Sequence, residues 1–435
     1  MSTTRFGIGQ AFVAFGCILL AGGGSPVEAA VAASKSAPDS DRSTASAGRG
    51  QPAAASAAVA QLSAEELRER LRSVYRDIGK IVSPDGVDEG RYVELGGVRQ
   101  WISLRGQSRA NPVLLFLHGG PGSPISSEAY AYQRPWEDFF TVVNWDQRGF
   151  GKSWGAPEDA VRLKGTLNRD QYIADTVELI EYLKQEFHQA KVILVGQSWG
   201  ASLALEVAHR RPDLLHAVVP QGLEANWLKS PELVRQELIA EADRTGNAVE
   251  AKRLRDLGPP PPPTNLSAIF KWGRDFGVPI PNAHTWHNMQ RPDDSWARRL
   301  DAIRYVSPDL SAVELSEEDA RMKADPGAAL ARYEEAMAAA ISWDAVTDVG
   351  TEFSVPVIMM MGRYDWQASA TLAKEYYEQV CAPWKVWVEF PEAAHVLNLE
   401  QPGLSVVSLV TDVRPAAAGG RSPRAQGCPP KSGQR

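Results

Sequence analysis

Residues 192–203 read Val-Ile-Leu-Val-Gly-Gln-Ser-Trp-Gly-Ala-Ser-Leu, and the chemical types follow one another as a strand, a sharp turn and a helix. Val192 to Val195 is a short apolar run with β-branched members, the composition of a buried strand. From Ala201 to Ala208 the apolar residues fall at helical spacing. Between them stands Gly196-Gln197-Ser198-Trp199-Gly200. Framed by strand and helix, a Gly-x-Ser-x-Gly pentapeptide forms a nucleophile elbow, which lifts the serine above the carboxyl end of a sheet. Two glycines fit because the turn brings backbone segments together and strains the central residue. Ser198 is therefore the candidate nucleophile, with the Trp199 amide beside it at the helix N-terminus.

The same alternation extends outward in both directions. Upstream, Tyr92–Leu95 and Arg99–Leu104, joined through Gly96-Gly97, read as an antiparallel hairpin. Pro112–Leu117 is a continuous apolar run, as in a strand covered on both faces, and it ends in His118-Gly119-Gly120-Pro121-Gly122. Thr141–Trp145 is a further strand, ending in Asp146-Gln147-Arg148-Gly149, and a helix follows from about 168 to 187. Downstream, a strand around Ala217–Val219 is succeeded by a helical, tryptophan-rich stretch interrupted by Pro259 to Pro263. Strand–helix alternation resumes with Val355–Met361, a helix from about 368 to 379, the strand Lys385–Phe390 and a last helix near 404–410. This is the pattern of an α/β fold with a mostly parallel sheet flanked by helices, carrying an inserted helical cap.

The chain has 435 residues, 44% of them apolar, which is ample for a large core. A formal net charge of −7 gives no basic footprint for nucleic acid. Arg5, an apolar run from Ala11 to Ala21 and the small residues after it follow the order of a secretory signal peptide, so the chain is expected to be exported, periplasmic or secreted. The run is shorter than the roughly 20 residues of a membrane span. Cys17 is read as part of the signal. Domain limits are expected at 1–30 for the signal, 31–61 for a disordered Ala/Ser/Gly/Pro linker and 62–221 for the first part of the core. The cap then takes 222–345, the second part of the core 346–413, and a disordered tail 414–435. Ser63 and Glu66 have capping-box spacing and open a helix running to about Ile81. Cys381 and Cys428 either pair in an oxidising compartment or stay as free thiols.

A serine nucleophile needs a base, and the base needs an orienting carboxylate. Of seven histidines, His118 and His188 precede the elbow, His209 and His216 flank the end of its helix, and His284 and His287 fall in the cap. Only His395 sits in a loop after the final strand. Asp365, in Gly362-Arg363-Tyr364-Asp365 just beyond a strand, is the first candidate acid. Its other reading is the N-cap of the helix near 368. Glu224, after the preceding strand, is the second candidate. Glycines after the strand at Leu117 allow backbone amides to face a carbonyl, so Gly120, with Gly119 beside it, pairs with the Trp199 amide as an oxyanion hole. Asp146 and Arg148 are expected to pair with one another or with backbone.

Taken together, His-Gly-Gly-Pro-Gly, Asp-Gln-Arg-Gly-x-Gly-x-Ser, Gly-Gln-Ser-Trp-Gly, Gly-Arg-Tyr-Asp and a late histidine resemble the prolyl iminopeptidase group of α/β-hydrolases, from about residue 90 to 413. That resemblance implies the α/β-hydrolase fold, a serine hydrolase working through an acyl-enzyme without cofactor or metal, and release of N-terminal residues, especially proline, from short peptides. It also implies that acidic residues at the cap hold the substrate's free amino group. The chain departs from the group where substrate is chosen: after the sixth strand it reads Pro220-Gln221-Gly222-Leu223-Glu224-Ala225-Asn226, without the usual Arg-Gly segment. Glu224, Glu232, Glu334 and Glu335 are all left as possible ammonium partners, and an ester, lactone or non-peptide amide remains the rival substrate. The remote alternative is a ligand-binding protein that retains the triad.

Overall fold

The structure, a computed structural model, describes residues 62–155, 160–262, 264–276, 303–309 and 326–428. The expected signal peptide and linker, Cys17, His284, His287, Trp286 and Trp296 lie outside them.

Eight strands form one sheet: β1 (Val87–Leu95), β2 (Val98–Gly106), β3 (Val113–Leu117), β4 (Thr141–Asp146), β5 (Val192–Gln197), β6 (Leu215–Gln221), β7 (Val357–Gly362) and β8 (Lys385–Phe390). Their order across the sheet is β1-β2-β4-β3-β5-β6-β7-β8. β1 and β2 form the expected hairpin, and β2 runs antiparallel to β4. Gly96 and Gly97 both take positive φ in its turn, as a two-residue hairpin loop requires. From β4 to β8 every pairing is parallel.

Strand periodicity distributes the core to both faces. Val113, Leu115 and Leu117 enter one apolar cluster with helices α2 (Arg169–Phe187) and α3 (Trp199–Arg210), through Tyr172, Leu179 and Leu203. Leu114 and Phe116 point the other way, towards Trp136, Leu409 and Val413. Such two-sided cover explains why the central strands are continuous apolar runs.

An N-terminal helix, α1 (Ala64–Ile78), opens with the expected capping box between Ser63 and Glu66 and ends at Ile78, three residues short of the expected end, with Gly79 at its C-cap. Between β6 and β7 lie helices α4 (Ser230–Arg244), α5 (Ala248–Leu257), α6 (Leu266–Phe276) and α7 (Pro326–Ala340), the helical insertion the sequence indicates. After β7 come α8 (Ala370–Gln379) and, beyond β8, α9 (Pro402–Ser408).

The C-terminal stretch corrects one expectation. A disordered tail from 414 is contradicted as far as residue 428. Arg414–Ala417 is helical, Arg424 pairs with buried Asp412, and Gln426 bridges Lys385 at the edge of β8. Cys428 is disulfide-bonded to Cys381, which settles the choice the sequence left open. A Pro/Gly/Ser-rich composition suggested disorder because it cannot build a core of its own. Here the segment is anchored by an ion pair, a ladder contact and a covalent bond instead.

Candidate active site

Loops at the carboxyl ends of β3, β5, β6, β7 and β8 converge, the usual location of a ligand crevice in an open parallel sheet. Ser198 leaves β5 with φ 55° and ψ −119°, a left-handed backbone that only a tightly determined turn imposes on a non-glycine residue. A Cβ on Gly196 would overlap the carbonyl of Gly200, and one on Gly200 would overlap the carbonyl of Leu117. Both glycines of the pentapeptide are therefore required by close backbone approach, as read from the sequence. The Ser198 amide donates to the Gln221 carbonyl at 2.8 Å, tying the elbow to the end of β6.

His395 is buried in the loop after β8. Its Nδ1 lies 2.9 Å from one carboxylate oxygen of Asp365 and 3.1 Å from the other. The imidazole also rests against Gly222, where a Cβ would stand 3.3 Å from the ring. Gly222 follows Gln221, the acceptor of the Ser198 amide, so the ring and the serine flank the same short stretch of β6. With Nδ1 turned to the carboxylate, Nε2 is the nitrogen left for proton exchange.

Of the two readings weighed for Asp365, its contact with His395 fits the first, and the N-cap reading is overturned. Its Oδ1 accepts from the amides of Gln367 (3.1 Å) and Ala368 (2.9 Å), closing the turn that precedes α8. The N-cap itself is Ser369, whose hydroxyl accepts from the Leu372 amide. Glu224, the second candidate acid, turns elsewhere: Oε1 accepts from the Asn226 amide at 3.2 Å, and the carboxyl also bonds Ser230. Burial, with the Asp365 charge adding to it, pushes the Glu224 carboxyl up to about 8 against the pull of its two hydrogen bonds.

The loop after β3 lies against the elbow. A Cβ on Gly119 would come within 3.0 Å of the Ser198 Cβ and 3.1 Å of the Gln197 carbonyl. Gly120 takes φ 113°, a conformation side chains avoid. As the first residue of α3, Trp199 has no intrahelical acceptor for its N–H, and among the described residues neither it nor the Gly120 N–H donates to protein. The Trp199 indole is buried in the core, edge-on to Tyr172 at 5.9 Å. His118 shapes this loop: Nδ1 meets the Gly119 carbonyl at 2.9 Å, while Nε2 accepts from the Gln147 amide at 3.1 Å. Complete burial lowers it to about 4 and keeps the ring neutral.

Arg148 and Asp146 do not pair with one another. Arg148 donates to Asp175 at 2.7 and 2.8 Å and to the carbonyl of Leu95, all buried, and to the carbonyl of Gly96 at the hairpin turn. Asp146 accepts from the Ser126 hydroxyl and the Lys152 amide. The backbone half of the expectation holds. Asp175 was missed because it is 27 residues away on α2, with nothing local to mark it.

Two further site residues carry weak sequence signals. Glu400 accepts from the amides of Ala394 (2.9 Å) and Val396 (3.1 Å), gripping the histidine loop on either side of His395. Gly362, the first residue of Gly-Arg-Tyr-Asp, backs onto that loop. Of the cap acids, Glu232 is paired with Arg235 at 2.8 Å, and Glu335 accepts from the Leu167 amide at 2.9 Å. Among the described residues there is no cluster of metal-ligating side chains, and no helix is long and apolar enough to cross a membrane.

Residues 114–409 match the model of a family described as the alpha/beta hydrolase family. The chain belongs to that family. This hydrolase is similar to the Bacillus subtilis protein named "Probable aminopeptidase YbaC", with 27% identity over 74% of the chain and 95% of the relative. It is also similar to the proline iminopeptidase of Lactobacillus delbrueckii subsp. lactis, with 27% identity over 47% of the chain and 77% of the relative. Among solved structures, the proline iminopeptidase of Mycobacterium smegmatis aligns over 76% of the chain and 99% of its own, at 19% identity and a TM-score of 0.48.

Proposed function

We propose that this hydrolase is a serine aminopeptidase that releases N-terminal residues, proline foremost, from short peptides. Ser198 Oγ attacks the scissile carbonyl as His395 Nε2 takes its proton. Asp365 holds the imidazole tautomer and offsets the charge the ring acquires. The amides of Gly120, with its neighbour Gly119, and of Trp199 receive the oxyanion, a donor of this kind being worth about 3–4 kcal/mol in the transition state. The imidazolium returns the proton to the leaving amine. Water then cleaves the acyl-enzyme along the same proton path, so no cofactor is needed.

The bond from His395 Nδ1 to Asp365 carries this reading, because a base needs a fixed tautomer before it can activate a hydroxyl. Substrate class rests on similarity to the aminopeptidase and iminopeptidase relatives. Export to the periplasm or beyond is part of the proposal, supported by the Cys381–Cys428 bond, a chemistry favoured in oxidising compartments.

The experiment is a panel of proline and alanine arylamides against simple aryl esters, with fluorophosphonate labelling of the wild type and Ser198→Ala. Arylamide turnover and labelling lost with Ser198 are the expected results. Turnover of esters alone removes the peptidase assignment, and labelling that survives in the variant removes Ser198.

A further inference from the structure

The cap helices α4 to α6 have an apolar cluster of their own, built from Val234, Leu238, Leu254, Trp272 and Phe276. Trp366 packs against that cluster, and it is the residue immediately after Asp365. A second tie joins the same two parts. The Ser230 hydroxyl, in the first turn of α4, accepts from the Ser369 amide at 3.0 Å and bonds the Glu224 carboxyl. Ser230, Ser369 and Glu224 are all nearly fully buried. Buried polar groups that satisfy one another resist separation, since breaking the contact leaves each unpaired.

The acid loop is therefore held from two sides. Beneath it, Asp365 closes its own turn through the amides of Gln367 and Ala368. Above it, Trp366 and Ser369 are seated on the cap. Asp365 and His395 come from separate loops, so their contact depends on how the acid loop sits.

We propose that Trp366, Ser230 and Glu224 are positioning residues that latch the cap to the acid loop, so that seating of α4–α6 sets the alignment of Asp365 with His395. This rests on the reading of Ser198, His395 and Asp365 as a working triad. Cap movement then changes nucleophile reactivity as well as substrate access. Glu224 acts here as a hydrogen-bond partner of Ser230 and not as an acid facing the imidazole.

The test is the rate at which a small fluorophosphonate labels Ser198 in full-length protein. Small probes make little use of the cap for binding, so the rate reads alignment. Ser230→Ala and Trp366→Ala are expected to label about 10- to 100-fold more slowly, the scale of a misplacement of roughly 1 Å. Ser230→Thr and Trp366→Phe restore most of the rate, and Glu224→Gln loses less than Glu224→Leu. Val249→Ala, an exposed change on α5, leaves it unchanged. Melting temperatures are recorded in parallel, because a merely structural role lowers stability and spares the labelling rate of folded protein. If Ser230→Ala does not fold, Trp366→Ala, at a partly buried site, reads the same latch. Labelling of both alanine variants at the wild-type rate overturns the latch. Absence of labelling in the wild type overturns the triad reading, and the latch with it.

Discussion

Gly362 at the end of β7 lies directly against the carbonyl of Ala394, so closely that a Cβ on the glycine would overlap that oxygen. The two residues stand three positions before Asp365 and one before His395. Their contact brings the acid loop and the histidine loop together, and the absence of a side chain makes it possible. Gly362→Ala is expected to lower stability by about 1–3 kcal/mol, as overpacking does, and to reduce turnover about 100-fold by moving the histidine loop. Thermal unfolding and arylamide kinetics on the same preparation check both.

Asp365→Asn is expected to reduce turnover by about 10⁴-fold while leaving the fold intact, because an amide no longer selects the productive imidazole tautomer. Circular dichroism and steady-state kinetics decide it. A loss of only a few-fold would mean that another carboxylate orients His395.

Glu400 holds the amides on both sides of His395 without facing the imidazole Nδ1. Glu400→Ala leaves two amides without their acceptor and should cost about 1–3 kcal/mol of stability. Turnover should fall by about 10-fold or more as the ring loses its fixed orientation. Glu400→Gln, which keeps an acceptor oxygen, should recover part of both; denaturant titration and kinetics give the comparison.

Arg148 and Asp175 form a buried ion pair in which neither member reaches solvent. Removing the cation alone, as in Arg148→Leu, strands the carboxylate and should cost about 3–5 kcal/mol. Arg148→Leu with Asp175→Leu should recover part of that cost, an outcome that urea unfolding measures.

Two buried groups pull stability in opposite directions with pH, and their windows overlap between about pH 4.5 and 6.5, where they largely offset each other. His118 has a folded value lowered to about 4, so the unfolded chain binds the extra proton first, and this contribution is lost as pH falls from about 6.5 towards 4. Glu224 has a folded value raised to about 8, so the folded state keeps the proton longer, and stability is lost as pH rises from about 4.5 through 8. Glu224→Gln should remove the alkaline decline and unmask the His118 loss as pH falls from about 6.5 towards 4. Chemical unfolding across pH 4 to 9 reads both limbs.

Much of this architecture is written in short-range patterns. The elbow at 192–203, the glycine loop after β3, the hairpin at Gly96-Gly97 and the capping box at Ser63 each depend on residues within a few positions of one another. Local sterics and hydrogen bonding therefore declare them in the chain itself. The positions of Ser198, Asp365 and His395 are likewise legible, because each residue follows a recognisable strand. Pairings across the sheet are another matter. That His395 faces Asp365 and not Glu224, that Arg148 is claimed by Asp175, and that Cys428 reaches Cys381 all depend on which strand ends become neighbours. The same holds for Gly362 and Glu400, whose importance lies in contacts with a loop that approaches only after folding. Periodicity reports which face of an element is apolar; it says nothing of what that face or its flanking loop will meet. Such partners are chosen when sheet order and close packing bring distant segments within hydrogen-bonding distance, and only tertiary structure contains that information.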